Sequence, residues 1–125
     1  AYQAMQAVHA DAVLGVDDND RKLAICRSRG YRVVGADASD PAFWVCVDLD
    51  KIEHVMLALT NHEENKLVGR LLRAQNYTGR ITAIVRFEEE AEELKEYDIS
   101  SFNLFAEAGS GFATHADTLR SASPP

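Results

Sequence analysis

A repeated phrase constrains this chain most: an apolar run that stops on an acidic or small polar residue, followed by a helical pattern. Ala12-Val13-Leu14-Gly15-Val16 closes on Asp17. Tyr31-Arg32-Val33-Val34 leads into Ala36-Asp37-Ala38-Ser39-Asp40-Pro41. His54-Val55-Met56-Leu57-Ala58-Leu59 leads into Thr60-Asn61-His62-Glu63-Glu64-Asn65. Strands that alternate with helices argue for a parallel sheet with helices on both faces.

The helices announce themselves by caps and apolar spacing. Residues 1–10 place Ala4, Met5 and Val8 on one face, as the end of a first helix would. Asp18-Asn19-Asp20 caps the next helix, which carries Leu23, Ile25 and Cys26 and stops at Gly30. Asp40-Pro41 opens a short helical turn. Asn61 followed by Glu64 resembles a capping box, and Leu67, Val68, Leu71 and Leu72 form the expected buried stripe of a helix ending near Asn76-Tyr77-Thr78-Gly79. A strand over 81–85, an acidic surface helix over 88–97 and a short strand over 101–105 follow. Residues 108–120 complete the pattern as a helix, and 121–125 read as a frayed tail. Residues 1–125 thus read as a single domain, with strand–helix repeats over 12–105 and no internal repeat or linker.

The implied fold class is α/β, a Rossmann-like doubly wound parallel sheet. In that order the first strand lies in the middle of the sheet, between the second and the fourth. The run ending at Asp17 fits the second strand, so the sheet is expected to be N-terminally truncated, without its first strand and glycine-rich turn. Two unpaired ladders would flank the gap, which a stable domain does not tolerate. The natural chain is therefore expected to begin roughly 15–20 residues earlier, the size of a strand plus turn. The alternative is that another chain fills the slot.

Composition removes several classes of function. The chain has 125 residues, 46% of them hydrophobic and 26% charged, ordinary for a globular domain. A net charge of −7 argues against a nucleic-acid backbone as partner. No run approaches the roughly 20 apolar residues that cross a membrane, and no signal peptide is visible. Cys26 and Cys46 read as a buried, reduced pair, since no third ligand neighbours either one. The cytoplasm is the expected compartment.

The chemistry is expected at the strand ends, where parallel sheets bind ligands. A carboxylate closing the second strand can accept hydrogen bonds from both ribose hydroxyls of an adenosine and repels a 2′-phosphate. Asp17 is the candidate, with Asp18 one position along as a substitute. The same Asp17-Asp18-Asn19-Asp20 cluster also serves as a plain helix cap. Asp37-Ala38 could line an adenine pocket, though Asp-Ala-Ser-Asp-Pro is equally a good helix start. Thr60, Asn61 and Asn65 stand where the following strand meets its helix, and contact with a ligand and capping by Asn61 are compatible there.

Together these residues resemble the RCK/KTN (Trk-N-like) nucleotide-binding domains that regulate potassium channels and transporters. The resemblance rests on Ala36-Asp37-Ala38-Ser39-Asp40-Pro41 and on Leu57-Ala58-Leu59-Thr60-Asn61-His62-Glu63-Glu64-Asn65. A third stretch, Asn103-Leu104-Phe105-Ala106-Glu107-Ala108-Gly109-Ser110-Gly111-Phe112-Ala113, is closest to the cytoplasmic domains of Kef-type potassium efflux systems. Two departures stand out. Ala36 replaces the family's glycine before Asp-Ala, and the Gly-x-Gly-x-x-Gly phosphate turn is absent from this sequence. The resemblance implies a regulatory domain binding NAD(H), AMP or a related adenine nucleotide and passing that state to a potassium-transporting membrane partner. It assigns the ribose to Asp17 and the adenine to Asp37-Ala38. Thr60, Asn61 and Asn65 would line the cleft, with Arg86 facing the phosphates or a dimer partner. On its own Arg86 also reads as a surface cation. The family pairs two-fold, so Phe102, Phe105 and Phe112 could serve a homodimer face, with core packing as the alternative.

Catalysis finds little footing. His9, His54, His62 and His115 are scattered, without a nucleophile or metal-ligand spacing. Glu88-Glu89-Glu90, with Glu92 and Glu93, reads as a solvated helix face. The rival reading is a fragment of an NAD-dependent oxidoreductase lacking its substrate domain; a third is an interaction module that binds no nucleotide.

Overall fold

The computed structural model describes residues 12–104, 106, 113, 115 and 116. They fall into two compact units. One runs up to Lys51 and includes Leu71–Tyr77; the other comprises Ile52–Arg70 and the chain from Thr78 onward.

In the first unit, β1 (Gly15–Asp17) pairs in parallel with β2 (Val33–Gly35), Val16 standing opposite Val34. Between them lies α1 (Asp20–Ser28), started by Asn19, whose side chain accepts from the Lys22 amide at 3.0 Å. Gly30 ends it at φ +79°, and Tyr31 N–H returns to the Cys26 carbonyl at 3.0 Å. This is the Schellman closure, for which glycine needs no strain. Gly35 lets α1 settle closely on β2, since a methyl there would lie 3.0 Å from Leu23 Cδ1. A short α2 (Pro41–Val45) follows its Asp40 cap, and a 3-10 turn spans Leu49–Lys51.

In the second unit β3 (His54–Leu57), β4 (Arg80–Val85) and β5 (Ser100–Asn103) form a parallel sheet in that order. Along β4 the residues Ile81, Ala83 and Val85 are buried, while Thr82 and Ile84 on the other face are half-buried. α3 (His62–Ala74) leads from β3, and α4 (Glu88–Lys95) packs on β4 and β5. The approach of α3 is set by Gly69, where a methyl would overlap Ile99 Cδ1. α3 and α4 end as α1 does, with Asn76 (φ 63°) and Asp98 (φ 54°) in the left-handed region and the next amide reaching back to Leu72 and Leu94. The buried residues of this unit are Leu57, Val68, Ile81, Ala83, Val85, Ala91, Leu94 and Ile99, with one polar member, Asn65.

The alternating α/β order with parallel strands is the one the sequence pattern implies. Three expectations change in detail. The buried stripe of α3 is Asn65, Val68, Gly69 and Leu72, whereas Leu67 is 38% exposed. The face is chosen by the Asn65 side chain and the close approach at Gly69, neither of which counts as apolar pattern. Cys26 is half-buried and Cys46 exposed at the end of α2, so the cysteines are free but not a buried pair. Strand β1 is also shorter than its apolar run, because ladder pairing and not hydrophobicity bounds it. The helix expected over 1–10, and the roles of Phe105 and Phe112, lie outside the described residues. Of the helix expected over 108–120, Ala113, His115 and Ala116 are helical and exposed. Phe102 is 47% exposed. No helix among the described residues is long and apolar enough to cross a membrane.

Candidate functional site

In the first unit, the candidate carboxylates sit at the carboxyl ends of β1 and β2. Asp17 closes β1, and its Oδ1 accepts from the Asn19 amide at 2.9 Å, an Asx turn that leads the chain into α1. Asp18 is exposed beside it. Beyond β2, Asp37 turns its Oδ1 onto its own loop, taking the Ser39 hydroxyl at 2.6 Å and the Ser39 amide at 2.9 Å. Those two bonds, the hydroxyl first, hold the Asp37 carboxyl below its ordinary range. The loop is further fastened by Trp44, whose indole N–H donates to the Ala38 carbonyl at 2.7 Å. Trp44 is buried and stacks edge-on with Phe43 at 4.8 Å. Asp37 thus shapes the loop, and Ala38 presents its backbone from a fixed position.

In the second unit, the carboxyl ends of β3, β4 and β5 surround a cavity of about 170 Å³. Thr60, His62 and Asn65 line it from the β3–α3 side, Arg86 and Glu90 from the turn after β4, and Leu104 from beyond β5. Asn65 is 1% exposed and braces the wall: its Oδ1 accepts from Leu59 N–H at 3.1 Å and its Nδ2 donates to the Leu59 carbonyl at 3.2 Å. Asn61 caps α3 by accepting from the Glu63 amide at 2.8 Å. Glu90 Oε1 accepts from the amides of Arg86 at 2.8 Å and Phe87 at 3.2 Å, which holds the turn that carries Arg86. The Arg86 guanidinium makes no ion pair among the described residues.

Beside the cavity, His62 Nε2 lies 3.1 Å from Glu93 Oε2, and Lys66 Nζ reaches the same oxygen at 3.2 Å. His62 first and Lys66 second hold the Glu93 carboxyl below its ordinary range, and Glu93 raises the Lys66 ammonium. His62, Glu63 and Glu93 also present ligand atoms within 4.8 Å of one another. With an ammonium already on Glu93, that cluster is an ion-pair network. Four of the eight sequence candidates therefore gather at the ends of β1 and β2 in one unit, and Thr60, Asn65 and Arg86 share the cavity of the other, with Asn61 capping the helix beside it.

Residues 1–102 match the TrkA-N domain. The chain belongs to the TrkA-N domain family. No curated protein matches it. Among solved structures, this TrkA-N domain resembles the NAD(P)-binding domain of an exopolyphosphatase-related protein from Archaeoglobus fulgidus. That match has a TM-score of 0.82 at 20% identity and covers 94% of this chain and 87% of the other. The TrkA-N domain of the inner membrane protein ybaL from Escherichia coli follows at 0.76 and 16% identity, covering 90% and 84%. The GsuK channel bound to NAD matches at 0.65 and 18% identity, over 73% of this chain and 17% of the channel. At these identities the likeness shows a Rossmann-like fold.

Three residues of this TrkA-N domain were not legible as site builders. Trp44 fastens the Asp37-Ala38 loop, Glu90 holds the Arg86 turn, and His62 completes the cavity wall. Glu90 had a signal: it stands three residues after Phe87, the spacing from which a glutamate reaches back to the N-cap amide. Phe87 has no acceptor, so only that half of the box forms. Trp44 had none, because it meets a backbone carbonyl; His62 stands beside the expected cleft by position, but its glutamate partners lie 28 and 31 residues away and left no signal.

Proposed function

We propose that this chain is a regulatory adenine-nucleotide-binding domain without catalytic activity, which binds NAD(H) or AMP in the cytoplasm and controls potassium efflux through a membrane partner. The observation that carries the reading is the second-unit cavity. It opens at the carboxyl ends of three adjacent parallel strands and has in its wall the Arg86 guanidinium, which makes no ion pair with a carboxylate among the described residues. That is the position at which parallel α/β sheets take ligands. At about 170 Å³ the cavity is smaller than the roughly 300–1,000 Å³ of sites that enclose a whole drug-sized molecule. It suits one part of a nucleotide, and Arg86 suits an anionic part such as a phosphate. Taken by itself, the first unit has Asp17 at the end of β1 as the candidate for ribose hydroxyls and Ala38 beyond β2 as the candidate for the base. Membership of the TrkA-N family and the NAD held by the GsuK channel support the nucleotide. The ybaL and GsuK likenesses support a membrane partner. A homodimer is part of the proposal, with exposed Phe102 and Leu104 available for it.

Calorimetry with NADH and NADPH tests the assignment. NADPH should bind roughly tenfold more weakly or worse, because its 2′-phosphate would face Asp17 at a cost of one or more kcal/mol. Equal affinity refutes the ribose assignment. Steady hydride transfer to common hydroxy-acid or alcohol substrates would convert the reading to an oxidoreductase fragment.

A further inference from the structure

We propose that His62 is a proton-operated clasp between α3 and the Arg86 turn, through which acidification strengthens ligand binding in the adjoining cavity. The ligand half of this inference rests on the nucleotide reading above; the clasp itself does not.

The geometry is that of a ring short of one proton. The His62 side chain is 14% exposed and stands between two carboxylates of α4, with Nε2 3.1 Å from Glu93 Oε2 and Nδ1 3.8 Å from Glu90 Oε2. A neutral imidazole has one N–H. Spent on Glu93, it leaves Nδ1 as a bare lone pair facing a second acceptor. His62 Nδ1 is in fact the one buried side-chain nitrogen or oxygen without a hydrogen-bond partner among the described residues. A second proton removes the mismatch, because Nδ1–H can then donate to Glu90 Oε2. Histidine is the side chain that takes up such a proton near neutral pH.

Glu90 makes the event matter at the cavity. Its Oε1 already accepts the Arg86 and Phe87 amides at 2.8 and 3.2 Å. Pinning Oε2 to His62 therefore ties the start of α3 to the turn that presents Arg86, and both His62 and Arg86 line the cavity. The imidazolium also adds positive charge to a wall proposed to meet an anion. Among the described residues the charged neighbours come from three elements. On α3 itself are Glu63 and Lys66; from α4 come Glu90 and Glu93, with Tyr97 beyond them near Lys66; from the turn after β4 comes Arg86. Thr60 and Asn61 of the β3–α3 turn carry no charge. Lys66 is engaged with Glu93, whereas among the described residues Glu90 pairs with His62 alone, so the Glu90 side is where protonation changes the contact.

The test measures NAD affinity at pH 6 and pH 8 in the intact protein, its His62→Gln variant and its Glu90→Gln variant. NAD is chosen because its pyrophosphate does not titrate in this range, whereas the phosphate of AMP titrates near pH 6. The expected ratio of affinities, pH 6 over pH 8, is about fivefold in the unsubstituted protein and about one in both variants. Glu90→Gln keeps an oxygen for the Arg86 and Phe87 amides, so loss of the ratio there reports the charge and not a broken turn. A ratio of one in the unsubstituted protein, or a ratio that survives His62→Gln, overturns the coupling. Hydrogen exchange without ligand judges the clasp separately. Protection of the Arg86 and Phe87 amides, relative to intrinsic exchange, should be greater at pH 6 than at pH 8, and His62→Gln should abolish the difference. Equal protection at both pH values overturns the clasp. If NAD binds at neither pH, the nucleotide reading fails and the exchange result alone decides.

Discussion

Replacing Asn65 by alanine should destabilise the domain by about 3 kcal/mol. The side chain is 1% exposed and clamps one backbone residue from both sides, accepting from Leu59 N–H at 3.1 Å and donating to Leu59 C=O at 3.2 Å. Two net hydrogen bonds contribute about 1 kcal/mol each, and leaving partly buried Leu59 groups unsatisfied costs about 1 kcal/mol more. For a chain of 125 residues that corresponds to a fall in Tm of roughly 9–18 °C. Asn65→Asp should be at least as harmful, because the carboxylate can accept from Leu59 N–H but meets the Leu59 carbonyl with no donor. Far-UV circular dichroism melts with urea titrations at neutral pH give both values. If Asn65→Ala lies within 0.5 kcal/mol of the parent, or Asn65→Asp is neutral, the clamp is not what holds the end of β3 and the argument is wrong.

Gly69→Ala should cost about 1–3 kcal/mol of packing, set against roughly 1 kcal/mol of improved helix propensity, through overlap with Ile99 Cδ1. Ile99→Val deletes that atom, so a double-mutant cycle by urea unfolding should show the two changes compensating. Asp98→Gly should stabilise by about 1 kcal/mol in the same assay, since φ 54° strains a residue with a Cβ. His54 is held below its ordinary value of 6.5 by burial and by Arg80, so folding disfavours its proton. Stability it contributes is present above pH 6.5 and lost as pH falls through the lower folded value, and His54→Gln should flatten the melt-versus-pH curve between those two values. Asp37 acts lower still: its lowered carboxyl favours folding above 3.8 and ceases to as acid titrates it, so parent and Asp37→Asn melts should converge toward pH 3.

Much of the fold was legible because it is written in local physics. Apolar runs alternating with capped helical segments require a parallel α/β architecture wherever they pack, and caps such as Asn19, Asp40 and Asn61 act within three residues of themselves. The left-handed closure at Gly30 is local for the same reason. The strand ends of the candidate site could also be placed, because a ligand position in a parallel sheet follows from strand direction.

What each side chain does there was decided by which partners the fold brings to it, near or far along the chain. Asp37 could be a ligand group or a loop builder by sequence; its carboxylate is turned onto Ser39 in a loop that Trp44 fastens. Asn65 was legible only as a cleft residue, and it is also the buried polar member of the core, since the helix places it against the end of β3. By sequence His62 was one of four scattered histidines; α4, 28 and 31 positions later, sets two glutamates against its ring. Exposure, ion pairing and the choice of a helix's inner face depend on which surfaces meet, and contacts across that distance leave no periodic trace in the sequence of either partner.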